Sequence, residues 1–329
     1  MLQTFLSLSS EFYLMAQSAS KPLISVLMPA FNVEHYVGPA IESVLKQSFT
    51  DFELIVLDDG SSDGTAKIID TYSDSRLTKI FLTENEGLVN ARNTLVGMAR
   101  GEYIAFLDSD DLADPNRLEL QLKYLQKNQL DLCGTDHLVL NQSSGKIKHS
   151  KQSHSDADIR AMITVCSPLC NPSVMGRTDV FKRVAYLPGN DAAEDYVMWV
   201  NLALAGCKFG NVPINLITYR VHQQQISKVQ NTKVNNIFEE RRKYYIKALG
   251  INENILPRKL SWLDRLKIGP RFLFDLNKII PGISFGANYQ IYSRYQFRGN
   301  GLWTPLTRLE RALVAAFVTI FSRFTNAIR

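Results

Sequence analysis

FELIVLDDGSSDG, residues 52–64, changes character halfway along its length. Its first six residues are almost wholly apolar, and the rest are Asp, Gly and Ser. A short apolar run closed abruptly by turn residues reads as a strand covered on both faces, with a polar loop at its carboxyl end. Working outward, residues 24–28 (ISVLM) repeat the pattern and stop at Pro29, and Val37, Ala40, Ile41, Val44 and Leu45 then recur at helical spacing. Downstream, Ser62 or Asp63 is placed to cap a helix reaching about Tyr72. A strand over 77–82, a helix over 88–99 closed by Gly101, and a strand over 103–107 (YIAFL) follow. That last strand runs straight into Asp108-Ser109-Asp110-Asp111, and Asp114-Pro115 introduces a helix over 116–127. Strands alternating with helices across short gaps predict an α/β fold, a Rossmann-like and mostly parallel doubly wound sheet. Ligands of such sheets bind beyond the carboxyl ends of the strands, so three polar clusters are expected to meet in one crevice.

Further on the pattern thins. Residues 141–156 read as a hairpin or mobile loop, 171–176 as a strand, 194–205 as a helix and 212–219 as a strand. After about Gln223 the alternation stops, leaving a basic amphipathic helix over 237–249 and a stretch of Arg, aromatic and aliphatic residues from 262 to 329. Three parts are expected: an N-terminal extension (1–21), the α/β domain (22–227) and a helical, basic C-terminal region (228–329).

The composition, 45% hydrophobic and 21% charged over 329 residues, excludes a disordered, collagen-like or disulfide-stapled chain. Four cysteines, too few for a disulfide framework, read as thiols of a reducing compartment. Charge is unevenly placed. From Pro257 onward twelve Lys/Arg stand against three Asp/Glu, a local balance of +9 within a chain whose total is +5. The acidic part is expected to hold the chemistry and the basic part to meet something anionic. The longest apolar run, 312–321, is about half what a membrane span needs. The first residues lack the basic start and continuous apolar core of a secretory signal.

Among candidate chemical groups the cluster 108–111 stands out, because three carboxylates in four residues repel one another unless a cation or water holds them. A hard divalent cation sharing substrate phosphates answers that need; a plain acidic helix cap is the alternative. Asp58 and Asp59 suit hydrogen bonding to a base or ribose, or a simple turn. Phe31, taken alone, reads as a core aromatic. Residues 84–93 offer a loop-to-helix junction whose N–H groups could face a phosphate. Glu194 and Asp195 open a helix, where they either complement its dipole or supply a general base. His222 ends the last strand as a structural imidazole or a metal ligand. Dinucleotide, P-loop, zincin and nucleophile-elbow motifs are absent from the sequence.

In order, ISVLMPAFN (24–32), DFELIVLDDGSSDGT (51–65), ENEGLVNARN (84–93), GEYIAFLDSDD (101–111), NPSVMGR (171–177), EDYVMW (194–199) and YRVHQQQIS (219–227) resemble a family-2 glycosyltransferase of the GT-A fold. The resemblance implies inverting transfer of a sugar from a nucleoside-diphosphate donor, UDP-linked, to a saccharide or lipid-linked acceptor in cell-surface polysaccharide synthesis. It implies that Pro29, Phe31 and Asp59 line the base and ribose pocket, that Asn85 and Arg92 lie near the donor, and that Asp108 binds ribose or sugar hydroxyls. Asp110 would hold Mn²⁺ or Mg²⁺, His222 would add a ligand, and Asp195 would be the base, with Glu194 its runner-up. A nucleotidyltransferase acting on a sugar phosphate is the alternative, and nucleic acid is not an expected partner. Arg308, Arg311, Arg323 and Arg329 flank the apolar run of the tail, which predicts contact with an anionic membrane surface, on the cytoplasmic face.

Overall fold

The computed structural model describes residues 21–191, 193–223, 225, 231–252, 262–296 and 305–327. The expected N-terminal extension therefore lies outside the described residues, apart from Lys21.

β1 (Ile24–Ala30), α1 (Val37–Leu45), β2 (Phe52–Asp58), α2 (Thr65–Asp70), β3 (Leu77–Phe81), α3 (Leu88–Met98) and β4 (Tyr103–Phe106) alternate strictly. Pairing is parallel throughout this part, in the order β3-β2-β1-β4. Pro29 does not end the first strand, which continues to Ala30 with Pro29 beside Leu57. Side chains of β1 alternate between two cores. Ile24, Val26, Met28 and Ala30 pack with Val37, Ile41 and Val44 of α1, while Leu27 joins Leu95 of α3 on the other face. A strand buried on both faces must be apolar at every position, and each such side chain contributes about 1.5–3 kcal/mol when taken out of water.

β5 (Leu112–Ala113), α4 (Arg117–Asn128), β6 (Leu132–Asn141), β7 (Ile147–Ser150), α5 (Asp156–Met162), a 3₁₀ turn (Asn171–Ser173), β8 (Met175–Arg177), α6 (Thr178–Arg183), α7 (Glu194–Leu204) and β9 (Phe209–Val221) complete the α/β unit. The sheet extends as β4-β8-β6-β9-β5, with β7 paired to β6. β8 runs antiparallel to both β4 and β6, and β9 runs parallel to β6. The polar stretch 141–156 is a hairpin, β6 and β7 pairing antiparallel. The strand expected over 171–176 is shorter, because Asn171–Ser173 forms a 3₁₀ turn first. Neither Ser62 nor Asp63 caps α2; its N-cap is Gly64, while Asp63 accepts from the Thr65 N–H at 2.9 Å. The fold is the GT-A arrangement, helices on both faces of a curled sheet.

Four helices follow: α8 (Asn231–Ala248), α9 (Trp262–Ile279), α10 (Phe285–Gln296) and α11 (Pro305–Ala327). They form a third core in which Ile246, Phe272, Leu276, Ile291 and Val318 meet Ala161 and Met162 of α5. Arg311, expected on the lipid-facing surface, is instead fully buried there. It falls on the inward side of α11, one turn before Ala315 and two before Val318, both of which are in the core. The side chains of Arg308, Arg323 and Arg329 lie outside the described residues. Among the described residues, no helix is long and apolar enough to cross a membrane.

Candidate active site

Chain order reverses at β1, which has β2 on one side and β4 on the other, so the crevice expected of such sheets opens at their carboxyl ends. Asn32, just past β1, has φ +51° and is tied to the loop after β2: its N–H donates to Ser61 Oγ and its Oδ1 accepts from Ser62 N–H, each at 2.9 Å. Pro29 is buried within β1. Phe31 overturns the core reading, standing 43% exposed at the mouth of the crevice. Asp59 is buried, and its two oxygens accept from the N–H groups of Glu86 and Gly87 at 2.8 and 3.0 Å. Asn85 is exposed on that same loop. Gly60 makes the close approach possible: it has φ +67°, and a Cβ there would sit 2.5 Å from the carbonyl carbon of Glu84. Three N–H groups at the start of α3 are already taken: Asp59 accepts from two, and Asp191 accepts from Val89 N–H at 3.3 Å.

Arg92 is the hub. It is buried on α3, donates to Asp108 at 2.9 Å and to Glu194 at 3.2 Å, and lies over the Tyr186 ring. With the Asn171 amide oriented to match, its oxygen accepts from both terminal nitrogens of Arg92 at 2.9 and 3.0 Å. Burial opposes the guanidinium charge, but the carboxylates of Asp108 and Glu194 outweigh it and hold Arg92 protonated. This one side chain thus joins the loop after β4, the 3₁₀ turn and the start of α7.

Glu194 and Asp195 form the first turn of α7. Burial raises the pKa of Glu194, with Arg92 pulling it back. Asp195 is pushed up to about 7, chiefly by burial and then by the carboxylate of Glu194. Among the described residues its hydrogen-bond donor is the Tyr196 N–H, at 2.6 Å. Cys170 ties the carboxylates to one place: burial raises its thiol pKa, and Asp111, Asp108 and Asp195 all push the same way.

On the other side of the cluster, Asp110 Oδ2 lies 2.9 Å from His222 Nε2. The imidazole stacks on Tyr36, centroids 4.5 Å apart, and the Arg220 guanidinium lies over the Tyr36 ring, 5.1 Å from its centroid. Arg220 also donates from Nε to the Asp110 carbonyl and from its backbone N–H to Asp111 Oδ1, the latter at 2.8 Å. Asp111 is fully buried and, among the described residues, its Oδ2 has no hydrogen-bond partner. Burial first, then Asp110 and Asp108, drive its pKa well up.

Among the described residues, no three His, Cys, Asp or Glu side chains gather as a ready cage for a metal ion. Asp110 and His222 nevertheless fit two positions of a divalent ion. Neighbouring ligands on an octahedral ion with bonds of about 2.1 Å lie roughly 3 Å apart, close to the 2.9 Å between their facing atoms. The carboxylate donor suits Mn²⁺ or Mg²⁺ with other oxygens completing the shell, and the imidazole is the less usual ligand of the two.

The structure thus draws Asp108, Arg92, Glu194 and Asp195 together, and Asp110 with His222. Pro29, Phe31, Asp59 and Asn85 lie on β1 and on the loops after β1, β2 and β3, and among the described residues no hydrogen bond joins them to those carboxylates. Sequence reading missed Tyr36, Asn171 and Arg220 as supports. Arg220 and Asn171 lie within recognisable strings, but nothing in the sequence marks Tyr36.

The family model for glycosyl transferase family 2 matches residues 25–184. An uncharacterized glycosyltransferase of Haemophilus influenzae is 30% identical over 252 residues, covering 71% of this chain and 78% of its own. WfgD of Escherichia coli, a UDP-Glc:α-D-GlcNAc-diphosphoundecaprenol β-1,3-glucosyltransferase, is 31% identical over 258 residues, or 75% of this chain and 93% of WfgD. Against a longer uncharacterized glycosyltransferase of Rickettsia felis the chain spans only 37% of that protein's length, at 28% identity. The crystal structure of Staphylococcus aureus TarS 1-349 with UDP-GlcNAc superposes with a TM-score of 0.57 at 18% identity, covering 91% of this chain and 88% of that one, and so shares its fold.

Proposed function

Because this chain belongs to glycosyl transferase family 2, we propose that it moves a hexosyl or N-acetylhexosaminyl group from a UDP-linked donor to a hydroxyl of a saccharide carried on a lipid. Residues 22–227 form the catalytic unit in this reading, and the configuration at the anomeric carbon inverts. WfgD and its UDP-Glc donor and diphosphoundecaprenol-linked acceptor support the substrate classes. So does a 30% identical Bacillus subtilis protein, the putative teichuronic acid biosynthesis glycosyltransferase TuaG, for the polysaccharide context.

One observation carries the mechanism. Arg92 pairs with Glu194 and Asp108, so among the described residues Asp195 is left as the carboxylate of the α7 turn without a cation of its own. A carboxylate with a pKa near 7 is suited to take a proton at neutral pH. Asp195 therefore acts as the base on the acceptor hydroxyl, while Glu194, paired with Arg92, keeps the turn in place. Asp108 orients ribose or sugar hydroxyls, Phe31 stacks on the base, and Pro29, Asp59 and Asn85 shape the surface around it. Asp110 and His222 are the residues that would hold Mn²⁺ or Mg²⁺, which would offset negative charge on the departing diphosphate. The acceptor's lipid and the basic residues of 228–329 support a reaction at an anionic membrane surface. Four free cysteines are consistent with the cytoplasmic side.

Incubation with a panel of nucleotide sugars, read by mass spectrometry, tests this. Release of UDP from a UDP-sugar with glycosylation of a lipid-linked saccharide is the expected result. Pyrophosphate release in a parallel incubation with a nucleoside triphosphate and a sugar phosphate, without UDP release from any nucleotide sugar, would replace the reading with nucleotidyl transfer.

A further inference from the structure

We propose that the outward face of α11, with the adjoining turns of α9, is the surface that lies on an anionic lipid bilayer. The proposal rests on the lipid-carried acceptor above for its purpose, but on a separate observation for its location: the polarity of α11 is inverted. Leu309, Leu313, Phe317, Ile320 and Phe321 are 58, 61, 58, 57 and 49% exposed, whereas Arg311, Thr319 and Ser322 are buried. The exposed positions recur every third or fourth residue, so they make one stripe, about 18 Å long at 1.5 Å per residue. A helix standing in water carries its polar side chains on that outer face.

The inner face shows where the polar groups went. Asn277 of α9 donates to Asn288 of α10 at 2.9 Å, Asn288 donates to Thr319 Oγ1 at 2.9 Å, and Ser322 Oγ donates to Asn277 at 3.4 Å. These side chains bond to one another among the helices, while five large hydrocarbon side chains of α11 are turned outward. The outer stripe is also contiguous. Phe317 and Phe321 stack with centroids 5.5 Å apart, and Phe274 of α9 meets both edge-on at 6.0 and 5.7 Å. An aromatic and aliphatic patch of this kind on a soluble surface marks an interaction site.

Charge selects the occupant. Arg271 and Lys278 are exposed on α9, three residues before and four after Phe274, which puts them beside the patch on the same helical face. Asp275 is half-buried and Glu310 accepts from Tyr292 at 3.0 Å, so the acidic groups nearby do not dominate this surface. The region from Pro257 on carries +9, and two copies joined through this face would bring like charges together. An anionic bilayer takes both the hydrocarbon stripe and the cations. Since no described helix is able to span, α11 lies in the plane of the interface.

Co-sedimentation of the full chain with phosphatidylglycerol-containing vesicles tests this. Wild type is expected to pellet with them and to stay in solution with pure phosphatidylcholine. The double variant Leu313→Glu and Phe317→Glu is expected to lose at least tenfold in partitioning with its melting temperature unchanged. Ile147→Glu, at an exposed apolar position on β7, is expected to partition like wild type. A separate Phe317→Trp variant should shift its emission to the blue on adding anionic vesicles. Wild type left in solution with anionic vesicles, or a double variant that pellets like wild type, would overturn the proposal. So would a dimer at sedimentation equilibrium that the double variant abolishes, because the stripe would then face a second copy. Donor hydrolysis followed in the same samples keeps the two readings apart. Vesicle binding lost with UDP release retained bears on this surface alone, and no UDP release from any donor bears on the proposed activity alone.

Discussion

Arg92 Nε donates to Glu194 Oε1 across 3.2 Å, a bond between residues 102 positions apart in the chain. Both groups are almost wholly buried, so the pair is held by geometry that solvent cannot relax. Breaking one side of a buried ion pair leaves the other charge uncompensated, at a cost of about 3–5 kcal/mol. Arg92→Leu is therefore expected to lower unfolding free energy in urea by roughly that amount. Glu194→Gln, which keeps a hydrogen-bonding oxygen, should lose less. Equal midpoints for wild type and Arg92→Leu would show that the bridge does not support the fold.

The raised pKa of Asp195 gives two signs to check. Unfolded, the group ionises near the usual carboxylate value of ~4, and folded at about 7, since burial and Glu194 disfavour its charge. Between those values the native state holds a proton that the unfolded chain has lost. Its contribution to stability is therefore full at low pH and declines as pH rises toward 7. Asp195→Asn should raise the melting temperature relative to wild type at pH 8 and leave it unchanged at pH 4. The transfer rate should move the other way, climbing with pH to a plateau above about 7. A rate that is flat from pH 5 to 8 would remove Asp195 as the base.

Asp110 and His222 are expected to act together on metal-dependent donor binding. Asp110→Ala should abolish the gain in UDP affinity that Mn²⁺ gives wild type, measured by calorimetry with and without EDTA. His222→Ala should reduce it. Wild-type turnover unaffected by EDTA would contradict a metal role for this pair.

Gly60 supports the donor wall through its backbone. Gly60→Ala must hold φ +67° and place a methyl group against the Glu84 backbone, so the loop 84–87 has to shift. A loss of about 1–3 kcal/mol in stability is expected from backbone strain of this type. Because that loop is fixed to Asp59, weaker UDP binding should accompany the loss. Unchanged affinity would mean that the loop does not shape the donor site.

β1, β2 and β4 were legible because strands covered on both faces are apolar at every position, and the clusters at their ends were legible because turns and carboxylates interrupt such runs. β6 was not. Its sequence, LCGTDHLVLN, carries Thr135, Asp136 and His137 in buried positions, where hydrogen bonds such as Thr135 N–H to Ser173 Oγ replace apolar packing. Periodicity has no sign for a polar residue whose partner lies 38 positions away. Phe31 misled for the opposite reason, since an aromatic after an apolar strand looks like core until the loop turns it outward. Arg92 read as a residue near the donor, and only the fold reveals that its guanidinium faces Asp108, Glu194 and Asn171. In the tail, the apolar run 312–321 was visible, but which side of the helix it faces depends on packing against α9 and α10. That packing put Arg311 inside.

The central claim is that Asp195 removes the acceptor proton in a crevice whose opposite wall holds the donor. Its most direct test is Asp195→Asn, with UDP-sugar affinity and transfer rate measured on the same preparation. The predicted result is affinity within about twofold of wild type and a rate lower by at least ~10²-fold, the usual range for a lost general base. A variant that still transfers at the wild-type rate, or one that loses donor affinity in step with rate, would contradict it.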